Sequence, residues 1–341
     1  MVDISPIPFG KRFLGPGHPV VIIAEIGINH EGSVEACARM IEAAASAGVD
    51  AVKLQSADPN EHYLPGTESH NLYSRAALTN DNTGAMFELG RKLGVEVLTT
   101  CGDPPTMDFI ETLSPAAHKI SSGMLGHLPM IRRFAASGRS LLFSSGMADM
   151  ESIDLAINAA RSQGAKNMAI MQCASLYPAK PELMNLRAMQ TFQERYQIPV
   201  GLSDHTLGNE VATLAVAAGA HVIEKHFTLD SRRAGFDHGI SLEPNGLHAL
   251  VQAVRRVETI LGNGVKVLSH EEEDVRRRYV RRVVARIAIP VGKVIEEQDL
   301  SIMRASPEAS GLLSGEFDRV VGRVARRALS QFDILTDDDL A

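Results

Sequence analysis

Two histidines and two lysines stand at or near the ends of short apolar runs. His205 follows Val200-Gly-Leu-Ser-Asp, His226 closes Val222-Ile-Glu-Lys-His226, and Lys53 and Lys119 emerge from Asp50–Leu54 and Ala117–Ser121. A lysine in an apolar run needs a counter-charge or a shifted pKa. Two of them facing one cavity, with the hydroxyls of Ser122, Ser144 and Ser203, suit a phosphate and a carboxylate. Imidazoles on adjacent strand ends could share a metal. A two-histidine set leaves positions open for substrate oxygens and water, as a Lewis-acid site requires. By spacing alone, two satisfied core histidines are the simpler reading; a single such lysine more often snorkels, but a pair on facing strands favours the site. Glu25 and Glu224, also at run ends, are costly to bury unpaired and need a metal, a lysine or a sugar hydroxyl. His30, Asp204, Lys225, Asp237 and His238 are further candidates. Lys225 separates Glu224 from His226, so strand alternation turns it toward a helix layer.

Bringing these groups together requires parallel strands that end on one side. Apolar runs at Val20–Glu25, Asp50–Leu54, Val95–Thr100, Ala117–Ser121, Ser140–Ser144, Met168–Cys173, Pro199–Leu202 and His221–His226 read as strands. Amphipathic stretches such as Ser33–Ala47, Gly84–Leu93, Met150–Gln163, Leu183–Tyr196, Gly208–Ala218 and Asn245–Leu261 read as the helices between them. Ser33 as an N-cap and Gly48 just past the end frame the first helix. Eight such units point to an α/β chain forming a (β/α)8 TIM barrel, although a doubly wound sheet alternates in the same way. In a barrel, chemistry sits at the C-terminal strand ends. The polar residues collect there: Glu25, Lys53 with Gln55, Thr100, Lys119 with Ser122, Ser144, Cys173 with Tyr177 beyond, Ser203 with His205, and Glu224 with His226.

The pattern changes near Leu268. Residues 1–268 read as the barrel and 269–282, a block of acids followed by a block of arginines, as a charged linker or solvated helix. Residues 283–341 read as a small β-rich module. Within it Ile289–Leu300 lines up with Leu329–Leu340, and both copies end in Asp-Leu.

Composition narrows the function classes. A hydrophobic fraction of 45% allows a sizeable core, and a net charge of −7 gives no electrostatic reason to expect nucleic acid. Cys37, Cys101 and Cys173 are scattered and odd in number, which predicts reduced thiols. The first residues lack the apolar run of a signal peptide, and no stretch is long enough to span a bilayer. The expectation is a soluble cytoplasmic chain with neither nucleic-acid nor membrane partners.

Several segments resemble the sialic acid synthase family, the phosphoenolpyruvate-dependent nonulosonate synthases. They are AEIGINHEGS (24–33), VKLQS (52–56), KISSG (119–123), SSGM (144–147), GLSDHTLG (201–208), VIEKHFTLD (222–230) and DHGISLEP (237–244). The tail, with Gly292, Asp299-Leu300 and Arg304, resembles that family's antifreeze-like SAF domain. The resemblance implies condensation of phosphoenolpyruvate with the open-chain form of an N-acetylated hexosamine. It implies that Lys53, Thr100, Lys119, Ser122, Ser144 and Ser203 hold phosphoenolpyruvate, and that His205 and His226 hold Mn2+ or Mg2+. Glu25 would stabilise developing positive charge or handle the water proton. Gln55, Tyr177 and Asp237 match sugar-contacting positions, and Arg304 matches an arginine that reaches the partner's barrel in a domain-swapped homodimer. Met124 departs from the pattern, standing where the family usually has an acid near the reacting carbon. Cys101-Gly102 replaces the usual Pro-Phe, and the Ser56–Gly84 loop offers no match to the family's sugar-binding asparagine. Two other functions stay open: a lysine Schiff-base aldolase, and a non-catalytic homologue that binds phosphoenolpyruvate and metal.

Overall fold

The computed structural model of the chain describes residues 4–341. After a short hairpin, β1 (Ile7–Phe9) and β2 (Arg12–Leu14), come eight parallel strands. They are β3 (Val21–Gly27), β4 (Ala51–Ser56), β5 (Glu96–Cys101), β6 (His118–Ile120), β7 (Leu141–Ser144), β8 (Met168–Cys173), β9 (Val200–Asp204) and β10 (Val222–His226). The sheet order is β5-β4-β3-β10-β9-β8-β7-β6. Pairing of β10 with β3 joins the last strand to the first, so the sheet wraps into a nearly closed barrel. Its seam lies between the neighbouring strands β5 and β6. Each strand falls on its predicted apolar run, with ends that differ by at most two residues. The first helix, Val34–Ala47, is framed as expected: the Ser33 hydroxyl accepts from Ala36 N–H, and Gly48 closes the helix at φ +90°.

Alternation along the strands sorts two layers. Ile22, Ala24 and Ile26 of β3, Val52 and Leu54 of β4, and Ile223 of β10 face the helices in the larger core. Val21, Ile23, Ala51, Leu98, Leu142 and Val222 face inward and form a second core inside the barrel. Phe9 and Leu14 of the hairpin join that inner core and fill its lower end. No apolar periodicity in the sequence predicts this hairpin. Above the apolar floor, the inward positions turn polar. Gly201 belongs to this interior because a Cβ there would lie 2.3 Å from the Val222 carbonyl oxygen. Among the described residues, no helix is long and apolar enough to cross a membrane.

The chain divides into two units, 1–262 and 263–341, so the break comes earlier than the expected boundary at residue 268. The expected linker 269–282 is mostly helix, His270–Tyr279. Ser269 and Glu272 form a reciprocal cap, with acids in the first turn and arginines in the last. Arg281 and Arg282 belong instead to β11 (Arg281–Ala285), which pairs antiparallel with β12 (Leu300–Arg304). The internal repeat is structural. Ile289 bridges Leu329, and Ile295, Leu300, Leu335 and Leu340 share one core. Asp299 and Asp339 sit at equivalent buried turns, held by Lys293 at 2.6 Å and Arg327 at 2.5 Å.

Lys225 points into the helix layer, as alternation predicts. Its Nζ donates to Asp204 Oδ2 at 2.7 Å and to the Thr206 carbonyl at 2.5 Å, with both side chains fully buried. Removing one partner leaves the other charge stranded. Asp204→Ala is therefore expected to lower the unfolding free energy by about 3–5 kcal/mol in urea denaturation; a loss under about 1 kcal/mol, the range of surface ion pairs, would contradict the pairing.

Candidate active site

The inward residues at the upper strand ends enclose a cavity of about 300 Å3. Strand register places His226 opposite Glu25, Glu25 opposite Lys53, Gln55 opposite Thr100, and Ser203 opposite Glu224. Four charges form its floor. Lys53 Nζ lies 3.1 Å from Glu25 Oε2 and 3.3 Å from Glu224 Oε1. Lys119 Nζ reaches the same Glu224 oxygen at 3.0 Å, and Ser203 Oγ donates to it at 3.1 Å. Lys53 also donates to Thr100 Oγ1 at 3.2 Å. All four charged side chains are at most 5% exposed.

Burial sets these groups in unequal states. It raises Glu25, which Lys53 only partly offsets and Glu224 reinforces, so this carboxyl is pushed up to about 7. Burial would raise Glu224 too, but Lys119 and Lys53 outweigh it and hold it down to about 2. Burial and the neighbouring Lys53 pull Lys119 below its ordinary value against the pull of Glu224. In Lys53 the two carboxylates overcome burial and raise it. The floor thus holds one firm anion and one carboxyl poised near neutrality, the division of labour that acid–base chemistry needs.

The histidines meet above the floor, with ring centroids 5.2 Å apart. His205 Nδ1 contacts the Ala174 carbonyl at 2.9 Å; as a donor there, it leaves Nε2 with a free lone pair. Burial first, then the nearby His205 and Lys53, hold His226 well below the ordinary histidine value, so its imidazole is neutral. Its Nδ1 is buried without a hydrogen-bond partner, 3.6 Å from Asp237 Oδ2. A neutral His226 imidazole with an orphaned buried nitrogen, beside the His205 ring, suits a divalent ion. Among the described residues, no group of three or more His, Cys, Asp or Glu side chains is gathered at ligand spacing. Ser144 Oγ and Glu224 Oε2 are likewise buried without partners, so the cavity offers a polar ligand several unsatisfied atoms. Ser122 lines it as well, donating to Cys173 Sγ at 3.7 Å. Gly146 is required here: a Cβ would lie 2.2 Å from Ser175 Oγ and 2.6 Å from Ser122 Oγ.

The outer wall mixes predicted and unpredicted residues. Tyr177 stacks on His205 with centroids 4.2 Å apart. Gln55 Nε2 donates to Glu25 Oε1 at 2.9 Å, and the Tyr73 hydroxyl donates to Gln55 Oε1. Met124 is buried in a short 3₁₀ turn and lines the cavity with its thioether. His62, Tyr63 and Tyr73 also line it, from helices Pro59–His62 and Glu68–Ala76 and the loop between them. Sequence reading missed these three. The signal available was the length and aromatic content of the 56–84 segment, since long loops at a barrel's upper face carry function. Of the other candidates, His30 and His238 have local roles. His30 Nδ1 accepts from Gly32 N–H, and His238 is held between Thr228 and Glu31. Arg304 lies in the second unit at the end of β12, with its guanidinium 4.4 Å over the Tyr279 ring.

Comparison with known proteins covers both units. Residues 40–266 match the NeuB family. The chain belongs to the NeuB family. Residues 280–341 match the SAF domain. The NeuB match contains every predicted barrel site residue except Glu25 and the further candidate His30, and the SAF match contains Arg304. This NeuB-family chain is 34% identical over 331 residues to the N,N'-diacetyllegionaminic acid synthase of Legionella pneumophila, covering 92% of each. It is 32% identical over 311 residues to the N-acetylneuraminate-9-phosphate synthase of Mus musculus, covering 87% of this chain and 86% of that one. The solved N-acetylneuraminic acid (sialic acid) synthetase of Leptospira borgpetersenii serovar Hardjo-bovis, in complex with citrate, superposes with a TM-score of 0.76 at 32% identity. That likeness covers 81% of this chain and 96% of that one.

The raised Glu25 carboxyl has a consequence for folding. Between its ordinary value of 4.5 and about 7, the folded protein keeps a proton that the unfolded chain has released. Stability therefore falls as pH rises through that interval and levels above it, by at most about 3 kcal/mol. Glu25→Gln removes this dependence. The wild-type minus Glu25→Gln difference in urea unfolding free energy is expected to decline from pH 5 to 7 and then flatten; a difference that ignores pH would show the carboxyl to be unshifted.

Proposed function

We propose that this NeuB-family chain is a nonulosonate synthase, condensing phosphoenolpyruvate with the aldehyde of an N-acetylated hexosamine and releasing phosphate. The observation that carries this reading is the convergence of Lys53 and Lys119 on one carboxylate oxygen, beside the Ser144 hydroxyl, which lacks a protein partner. A small ligand with carboxylate and phosphate groups can take over those cations and accept from the unpartnered Ser144 hydroxyl. In this reading Lys53, Thr100, Lys119, Ser122, Ser144 and Ser203 bind phosphoenolpyruvate. Carbon 3 of phosphoenolpyruvate attacks the aldehyde carbon, and the electron pair moves onto the aldehyde oxygen. Water then adds at the cationic carbon 2, and the tetrahedral centre expels phosphate with the bridging oxygen. Glu25, ionised and beside that centre, stabilises the cation and takes one proton of the adding water, which passes to the new alkoxide; the second leaves with phosphate as the carbon 2 carbonyl forms. His205 and His226 would hold a divalent ion, Mn2+ or Mg2+, whose contribution when bound is Lewis-acid polarisation of the aldehyde.

Gln55, Tyr177 and Asp237 are the sugar contacts in this proposal. Arg304 joins them if the chain forms a swapped homodimer, each protomer's arginine serving its partner's barrel. A cytoplasmic location belongs to the same reading and agrees with three buried free thiols. One observation favours a second reading. Lys119 is the lysine pulled below its ordinary value, as the amine of a Schiff-base aldolase would be.

Phosphate release from phosphoenolpyruvate, assayed with Mn2+ across a panel of N-acetylated hexosamines, tests both. Turnover is expected to be chelator-sensitive. It should fall at least about hundredfold in His205→Ala and in His226→Ala, the loss of a metal-polarised carbonyl. Full activity in both variants would remove the metal assignment, and borohydride trapping of pyruvate at Lys119 would favour the aldolase. Phosphoenolpyruvate binding without phosphate release in the presence of any sugar would leave a non-catalytic homologue, with Met124 the first residue to replace by an acid.

A further inference from the structure

The helix Glu68–Ala76, on the long segment after β4, reaches the reacting floor through a two-bond chain. The Tyr73 hydroxyl donates to Gln55 Oε1, and Gln55 Nε2 donates to Glu25 Oε1 at 2.9 Å. The direction of this chain is dictated by charge. When Glu25 is ionised it only accepts, so Gln55 then turns its amino end to Glu25 and its carbonyl to Tyr73, which donates. The segment is well seated. Tyr63 packs on Tyr73 with centroids 4.8 Å apart, and the His62 ring meets Tyr63 edge-on at 4.4 Å. Gly102 leaves room for His62, since a Cβ there would lie 2.6 Å from its ring.

The two oxygens of Glu25 are thereby held by different groups. Oε2 faces Lys53, and Oε1 is held by Gln55. Without Gln55 the carboxylate is free to rotate onto Lys53, turning its charge away from the cavity. Gln55 in turn has two rotamer-rich torsions, and its carbonyl is fixed by the phenol of Tyr73. We propose that Tyr73 is a positioning residue, acting through Gln55 to fix the orientation of the Glu25 carboxylate and so linking the loop segment to the reacting centre. One donor and one lone pair of the Gln55 amide remain for a sugar hydroxyl, so an acceptor seated there would tighten the same chain.

The inference rests on the role proposed above for Glu25, and the experiment separates the two. Tyr73→Phe keeps the ring and its packing but removes the hydroxyl. Loss of one hydrogen bond predicts a roughly tenfold fall in kcat with KM for phosphoenolpyruvate unchanged. The same substitution in a Gln55→Leu background is expected to cost nothing more, because the chain is already cut. A readout free of turnover is the Gln55 side-chain amide resonance in 15N-labelled protein, assigned by its loss in Gln55→Leu. It should shift in Glu25→Gln and in Tyr73→Phe, and exchange faster with water in the latter. An amide resonance unmoved by Tyr73→Phe, or losses that add in the double variant, would overturn the proposal. Full turnover in Glu25→Gln would instead defeat the role of Glu25, whatever the amide shows.

Discussion

Everything at the mouth of this barrel depends on the packing of two acids and two lysines into a nearly dry floor. Such charges are tolerable only as a set. Glu224 draws both lysines onto one oxygen, and Lys53 bridges Glu224 to Glu25. With Glu25 ionised, two cations face two anions and the cluster is close to neutral, so breaking any member strands another. The compensation is uneven, and that is where reactivity arises. Glu224 takes most of the positive field and remains a firm anion, while Glu25 is left near neutrality by burial. Polar atoms of Ser144 and Glu224 remain buried without partners, so the cluster is complete as a charge balance and incomplete as a hydrogen-bond network.

The scaffold makes this arrangement affordable. Below the floor, the barrel interior is packed with apolar side chains, and the hairpin residues Phe9 and Leu14 fill its lower end. Water therefore reaches the charges from one side only. Outside the barrel, a second buried pair, Lys225 with Asp204, ties β10 to β9 directly behind the two histidine-bearing strand ends. The inward faces of those strands carry chemistry, and their outward faces carry the bond that fixes them.

The two halves of the cavity differ in character. The floor is charged and bonded to strands, which vary little in position. The wall is aromatic and thioether-rich, built by Tyr177, Met124 and the segment carrying His62, Tyr63 and Tyr73. A strand-bound floor suits a ligand part common to a reaction class, and a loop-built wall suits the part that varies between substrates. Met124 on that wall can neither accept a strong hydrogen bond nor move a proton, so at its position the wall adds no acid or base to the Glu25 carboxyl of the floor.

The sequence by itself determined the eight strands, the first helix and its caps, and the repeat in the second unit. These follow from local periodicity and turn chemistry, which are properties of neighbouring residues. Alternation within one strand also determined that Glu224 and His226 share a face and that Lys225 takes the other. What only the tertiary structure decided is who meets whom. The convergence of Lys53 and Lys119 on one oxygen joins residues from β4, β6 and β10, and the rise of Glu25 comes from burial that no local window contains. The Tyr73–Gln55–Glu25 chain spans two strands and a loop helix whose sequence carries no strand-end signature. The hairpin stayed hidden because its strands are three residues each, too short for a period to register. Periodicity is written locally, whereas charge balance is a sum over the whole barrel and exists only once the sheet has closed.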